Sequence, residues 1–163
     1  MTKLKNILDK SLEVLVMVAV AVLVIDVLWQ VFTRFIMGDP SSWTEELATF
    51  LLIWVALLGS AVALGRGAHL GIDYFVGKLD HKMRLRTELF VFAVVALFSF
   101  LVMVIGGIGL VARTLDLNQI SVALKLPMGY VYLAVPISGA FLVLYSLIGL
   151  FERVNSSKQG GAA

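Results

Sequence analysis

Residues 14–36 read VLVMVAVAVLVIDVLWQVFTRFI. A run of this length, with Asp26 and Arg34 as its only ionisable residues, is long enough to cross a hydrocarbon core of about 30 Å as a helix of roughly 20 residues. It is also too long for the apolar region of a signal peptide. Lys3, Lys5 and Lys10 precede it, as they would in a signal, but no small-residue cleavage site follows at Val31-Phe32-Thr33-Arg34. The segment reads as an uncleaved first span. Three more runs follow, at about Leu47–Leu64, Leu89–Val111 and Tyr130–Phe151. Each must be helical, because the bilayer offers no water to an open backbone.

Composition agrees. Of 163 residues, 60% are hydrophobic and 15% charged, and the mean hydropathy is +0.98; soluble domains average about 45–50% and about 25%. The fold class expected is therefore all-α: an integral membrane protein of four transmembrane helices, one unit over residues 1–154 with a polar, flexible tail at 155–163. The absence of Cys excludes disulfides, thiolate metal sites and a Cys nucleophile. A net charge of +2 is too small to point to nucleic acid.

Basic residues set the orientation. Ten of the thirteen fall on one side: Lys3, Lys5, Lys10, Arg66, Lys78, Lys82, Arg84, Arg86, Arg153 and Lys158. Arg34, Arg113 and Lys125 fall on the other. Both termini are expected in the cytoplasm, with external loops at residues 37–46 and 112–129.

The first external turn, Gly38-Asp39-Pro40-Ser41-Ser42-Trp43-Thr44-Glu45-Glu46, breaks one helix and starts the next. Ser42 and Glu45 have capping-box spacing, the acids suit the positive end of the helix dipole, and Trp43 suits the headgroup level. In the cytoplasmic loop, Ile72, Phe75, Val76 and Leu79 have helical spacing, which predicts a short helix along the membrane surface, in contact with lipid. The second external loop, Arg113–Gly129, carries Leu115, Leu117, Ile120, Val122, Leu124 and Leu126. It is too apolar to hang free in water and is expected to rest on the membrane or on a protein. Pro127 suits a helix start, and Pro136 should kink the fourth span.

Asp26 is the one ionisable residue deep in a span. Such a group is by default a functional candidate, as a coupling-ion or proton site. The competing reading is a carboxyl hydrogen-bonded to another helix or subunit, and it is favoured, because a single acid without neighbouring oxygen ligands makes a poor cation site. Arg34, about two turns further along the same face, is placed to reach Glu45, Glu46 or a partner's carboxylate. His69 and His81 lie in or beside the cytoplasmic loop, so they offer no axial ligands for a haem inside the bundle. No HExxH, Walker, GxSxG or GxGxxG motif is present. Neither an enzyme nor a cofactor or metal site is expected. Ala56 and Ser60, Gly59 and Ala63, and the glycines 106, 107 and 109 provide small-residue spacings that allow close helix approach, within the chain or with another.

In order and spacing the chain resembles the small, DctQ-type membrane subunit of TRAP (tripartite ATP-independent periplasmic) transporters, over nearly its whole length. The resemblance rests on Arg34 closing the first span, then Pro40, Trp43 and Glu45-Glu46 opening the second. Gly59-Ser60-Ala61-Val62-Ala63, Arg66-Gly67-Ala68-His69, Asp73 and Pro136 follow. Gly38-Asp39 departs from the Asn often expected in that turn.

The resemblance implies a non-catalytic scaffold in the bacterial inner membrane, serving a sodium-driven importer of organic acids of the C4-dicarboxylate or sialic acid type. Its partners would be a large multi-helix permease subunit and a periplasmic substrate-binding protein. Arg34, Trp43, Glu45 and Glu46 would then shape the external face, and Arg66, His69 and Asp73 would order the cytoplasmic loop. Two other classes compete with this one: a self-assembling channel or carrier using Asp26, and a membrane anchor for a redox enzyme.

Overall fold

The computed structural model describes residues 2–39, 41–66 and 81–160. The first helix, α1, spans Thr2–Phe32 and ends in a π-helical turn, Thr33–Met37. It stops at Gly38, whose φ of 70° is left-handed and open to glycine at no steric cost. Helix α2 covers Ser42–Gly65. The third span is built in three pieces: α3 (His81–Phe98), a π-helical stretch Ser99–Gly106, and α4 (Gly107–Asp116). A short α5 (Met128–Tyr132) and the long α6 (Ala134–Gly160) form the fourth.

Four of these assemblies are long and apolar enough to cross a membrane: Leu8–Met37, Ser42–Gly65, Met83–Asp116 and Met128–Val154. The four expected spans are all present, and each helix runs past the apolar run that announced it. The fourth continues to Gly160, into the stretch whose composition reads as a tail. The expected surface helix at residues 72–79 lies outside the described residues.

Pro127 sits just before α5, as expected. The break associated with Pro136 falls at Leu133, three residues earlier, because a proline ring displaces the carbonyl one turn before it. The chain rejoins through the Ile137 N–H donating to the Leu133 carbonyl at 3.2 Å. The expected capping box of Ser42 and Glu45 is not formed. The helix begins one residue earlier than that pattern needs, with Ser41 as its cap residue in extended conformation. The Thr44 hydroxyl lies 2.7 Å from both the Ser41 hydroxyl and the Ser41 carbonyl.

The spans do not close into a bundle. The first packs on the second, the second on the fourth, and the fourth on the third; among the described residues no backbone contact joins the first to the third or fourth, or the second to the third. The result is a layer one helix thick, in the order first, second, fourth, third. Burial follows from this order: 39% of the most apolar stretch of the fourth span is buried, against 6–11% in the others.

Glycines bring the third and fourth spans together. A Cβ at Gly139 would lie 2.7 Å from the Met103 Cβ, and one at Gly149 2.6 Å from the Phe92 ring; only a hydrogen fits there. Gly107 rests against Val135 and Pro136. The other small-residue series look outward, with Ala56 and Ser60 exposed and open space over Gly59 and Gly109.

At the end where α2 finishes, Tyr145 is the pivot. Its ring lies over Gly65, where a Cβ would come within 3.1–3.3 Å, and its hydroxyl donates to Asp9 Oδ1 at 2.5 Å. One side chain of the fourth span thus crosses the second to reach the first. Arg66 pairs with Glu13 at 2.8 Å, and Glu88 with both Arg84 and Arg153 at 3.1 Å.

Candidate functional site

The end of the molecule where α2 begins carries the most developed polar arrangement among the described residues, and it starts from the first turns of that helix. A helix N-terminus favours negative charge, and Glu45 and Glu46 supply it. Their fates differ. Glu45 is exposed and forms no ion pair among the described residues. Glu46 points to the loop between α4 and α5. Its Oε1 accepts the N–H groups of Val122 and Ala123, and its Oε2 that of Leu124, each at 3.0 Å. Three consecutive donors on one carboxylate form a charge-assisted clamp, stronger than three neutral bonds.

The loop is also tied to itself. Ser121 N–H donates to the Leu126 carbonyl at 2.9 Å, Met128 N–H to the Gln119 carbonyl at 2.8 Å, and Leu126 N–H to the Ser121 hydroxyl at 3.2 Å. Asn118 and Lys125 take left-handed conformations, with φ of 49° and 56°, and turn the chain at either end. Between this loop and α2 runs an open groove of about 580 Å³, lined by Glu45, Thr49, Phe50, Gln119, Ile120 and Val122 among others.

Trp43 is 43% exposed beside this region. Arg34 is exposed in the π-helical turn, its guanidinium carbon 6.0 Å from the Phe35 ring centre. It forms no ion pair with Glu45 or Glu46 among the described residues, and Glu46 is already committed to the loop. Arg34, Trp43, Glu45 and Glu46 therefore share one end of the molecule, but only Glu46 is engaged within it.

Asp26 is 5% exposed on the stripe of α1 that includes Leu12, Val16 and Thr33 and faces α2. Both its carboxyl oxygens are sealed from solvent without a hydrogen-bond partner among the described residues. It lies outside the groove beside α2. Arg66 is at the opposite end, bound to Glu13, while His69 and Asp73 lie outside the described residues. Among those described, no group of three or more His, Cys, Asp or Glu side chains is placed to hold a metal ion.

The family model for the DctQ component of tripartite ATP-independent periplasmic transporters matches residues 23–156, which takes in the second half of the first span and all of the other three. The chain belongs to the DctQ family. It is thus a small permease subunit of a TRAP transporter, a multi-pass membrane component and not an enzyme.

This DctQ-family chain is 29% identical over 149 residues to the sialic acid TRAP transporter small permease protein SiaQ of Vibrio cholerae, covering 91% of the chain and 84% of that protein. It is 32% identical over 100 residues to the C4-dicarboxylate TRAP transporter small permease protein DctQ of Rhodobacter capsulatus, covering 61% and 44%. A 72-residue stretch, 44% of the chain, is 35% identical to 12% of the sialic acid TRAP transporter permease protein SiaT of Haemophilus influenzae. Part of a unit of this kind therefore also occurs inside a much longer permease.

Sequence reasoning placed Glu46 at the external end but missed its partner, because a loop 76–78 residues away leaves no local trace. It also missed the Asp9–Tyr145 link. The available signal was a tyrosine inside an apolar span, whose hydroxyl needs an acceptor when buried.

Proposed function

We propose that this subunit braces the large membrane subunit of a sodium-driven, binding-protein-dependent importer of organic acids, of the sialic acid or C4-dicarboxylate type. It sits in the inner membrane with both termini in the cytoplasm. Its external face, with Arg34, Trp43 and Glu45 at the surface and Glu46 holding the loop behind them, contributes to the docking surface for the periplasmic binding protein. The observation that carries this reading is the open, one-helix-thick layer, which leaves both broad faces free for a larger neighbour. Its likeness to part of the longer SiaT chain supports the same arrangement.

Nothing in the layer favours flux through this chain. A channel reading needs Asp26 to line a passage, whereas its carboxyl is sealed on the face toward α2. The basic residues on the cytoplasmic side support the orientation.

The test is co-expression of the tagged chain with the large permease of the same transporter. The proposal expects the two to copurify in equal amounts, and the complex to bind the loaded periplasmic protein less well after Arg34→Glu or Glu45→Lys. Purification of the chain as a self-assembled oligomer that excludes the permease would refute the bracing role. Unchanged binding in both variants would refute the docking role.

A further inference from the structure

We propose that the external loop from Leu117 to Leu126 is seated in the headgroup layer of the outer leaflet, as an interfacial anchor held at that depth by Glu46. The first argument is depth. From Glu46 to Gly65, α2 rises roughly 28 Å at about 1.5 Å per residue, which matches a hydrocarbon core of about 30 Å. With Arg66 marking the cytoplasmic boundary, Glu46 lies at the external one and Trp43 a turn further out, at the headgroups. The backbone of Val122, Ala123 and Leu124 is bonded to the Glu46 carboxylate, so the loop lies at the same level instead of projecting into the periplasm.

The second argument is hydrogen bonding. Irregular backbone at the edge of the hydrocarbon is tolerated only where its polar groups are satisfied by protein. The clamp does this for three N–H groups that lack any helical or strand partner.

The third is surface chemistry. Leu117 is 70% exposed, Ile120 56% and Val122 82%, on a loop fixed by its own hydrogen bonds. Arg113 and Lys125, both exposed, flank these residues, and Tyr130 is 61% exposed just beyond. Apolar tips among cations and an amphipathic aromatic fit the boundary between acyl chains and phosphates. The occupant is therefore phospholipid, with phosphates toward Arg113 and Lys125 and upper acyl carbons against Ile120 and Val122.

The chain has no Cys, so single labels are simple to place. A nitroxide at Val122→Cys in the full chain, reconstituted in phospholipid vesicles, is compared with labels at Asp39→Cys for water and Ile25→Cys for mid-bilayer lipid. The proposal expects nickel-chelate accessibility at Val122 to be at least about fivefold below that at Asp39, as for a group buried roughly 5–10 Å into the interface. Oxygen accessibility should stay close to that at Ile25. Adding Glu46→Gln should raise nickel access at Val122 several-fold while helix content by circular dichroism is unchanged.

Nickel access at Val122 equal to that at Asp39 would overturn the seat in lipid. So would low access to both quenchers, which marks cover by protein. An unmoved Val122 label in the Glu46→Gln background would overturn the role given to Glu46.

Discussion

At the end where α2 begins one carboxylate, Glu46, holds three consecutive backbone N–H groups of a loop. At the opposite end three acids are held by side chains: Asp9 by Tyr145 and Glu13 by Arg66, each from another helix, and Glu88 by Arg84 of its own helix and Arg153 of the fourth span. The first arrangement fixes a shape, because backbone donors cannot swing away and their alternative is an unsatisfied group. The second ties packed helices together through side chains, and its exposed pair of Arg66 with Glu13 is a contact that water and salt can replace. A loop whose N–H groups lack helical or strand partners needs the former, while helices already packed together can rely on the latter.

Glu46→Ala should break the clamp at the start of α2 and have the largest effect. It removes the acceptor of three backbone N–H groups at once, and a lower midpoint in detergent unfolding is expected. Amide exchange should accelerate at Val122, Ala123 and Leu124 and stay unchanged in α6.

Gly65→Val comes next. It adds volume where even a Cβ would press on the Tyr145 ring at 3.1–3.3 Å, and overpacking of this kind costs about 1–3 kcal/mol. The same unfolding assay reads it. Tyr145→Phe keeps the ring and removes only the bond to Asp9, for about 1 kcal/mol.

Arg66→Ala should cost a few tenths of a kcal/mol, up to about 1, because its pair with Glu13 is largely exposed. This variant sharpens the contrast. At 1 M salt, where the Debye length is about 3 Å, its difference from the parent chain should vanish, whereas the Glu46→Ala deficit should persist.

The spans were legible because lipid demands apolar length. Helix ends were less so. The third span stays helical to Asp116, through Arg113, since a charged side chain near a membrane boundary can extend to the headgroups while its backbone remains helical.

The order of helices in the layer left no mark in hydropathy, which is nearly uniform around each span. Spacing alone misled for the small residues: Ala56 and Ser60 face outward, while the fourth span uses Gly139 and Gly149, which stand ten residues apart and form no familiar pattern. Ser42 and Glu45 had the right spacing for a cap, yet the helix start was set one residue earlier, where Thr44 bonds back to Ser41.

The most direct test of the central claim, that this chain supports transport without conducting, is sodium-driven uptake of a labelled organic acid into proteoliposomes with components left out in turn. The account predicts uptake only when this chain, the large permease and the loaded binding protein are all present, and none with this chain alone. Uptake by this chain alone, abolished by Asp26→Asn, would contradict it.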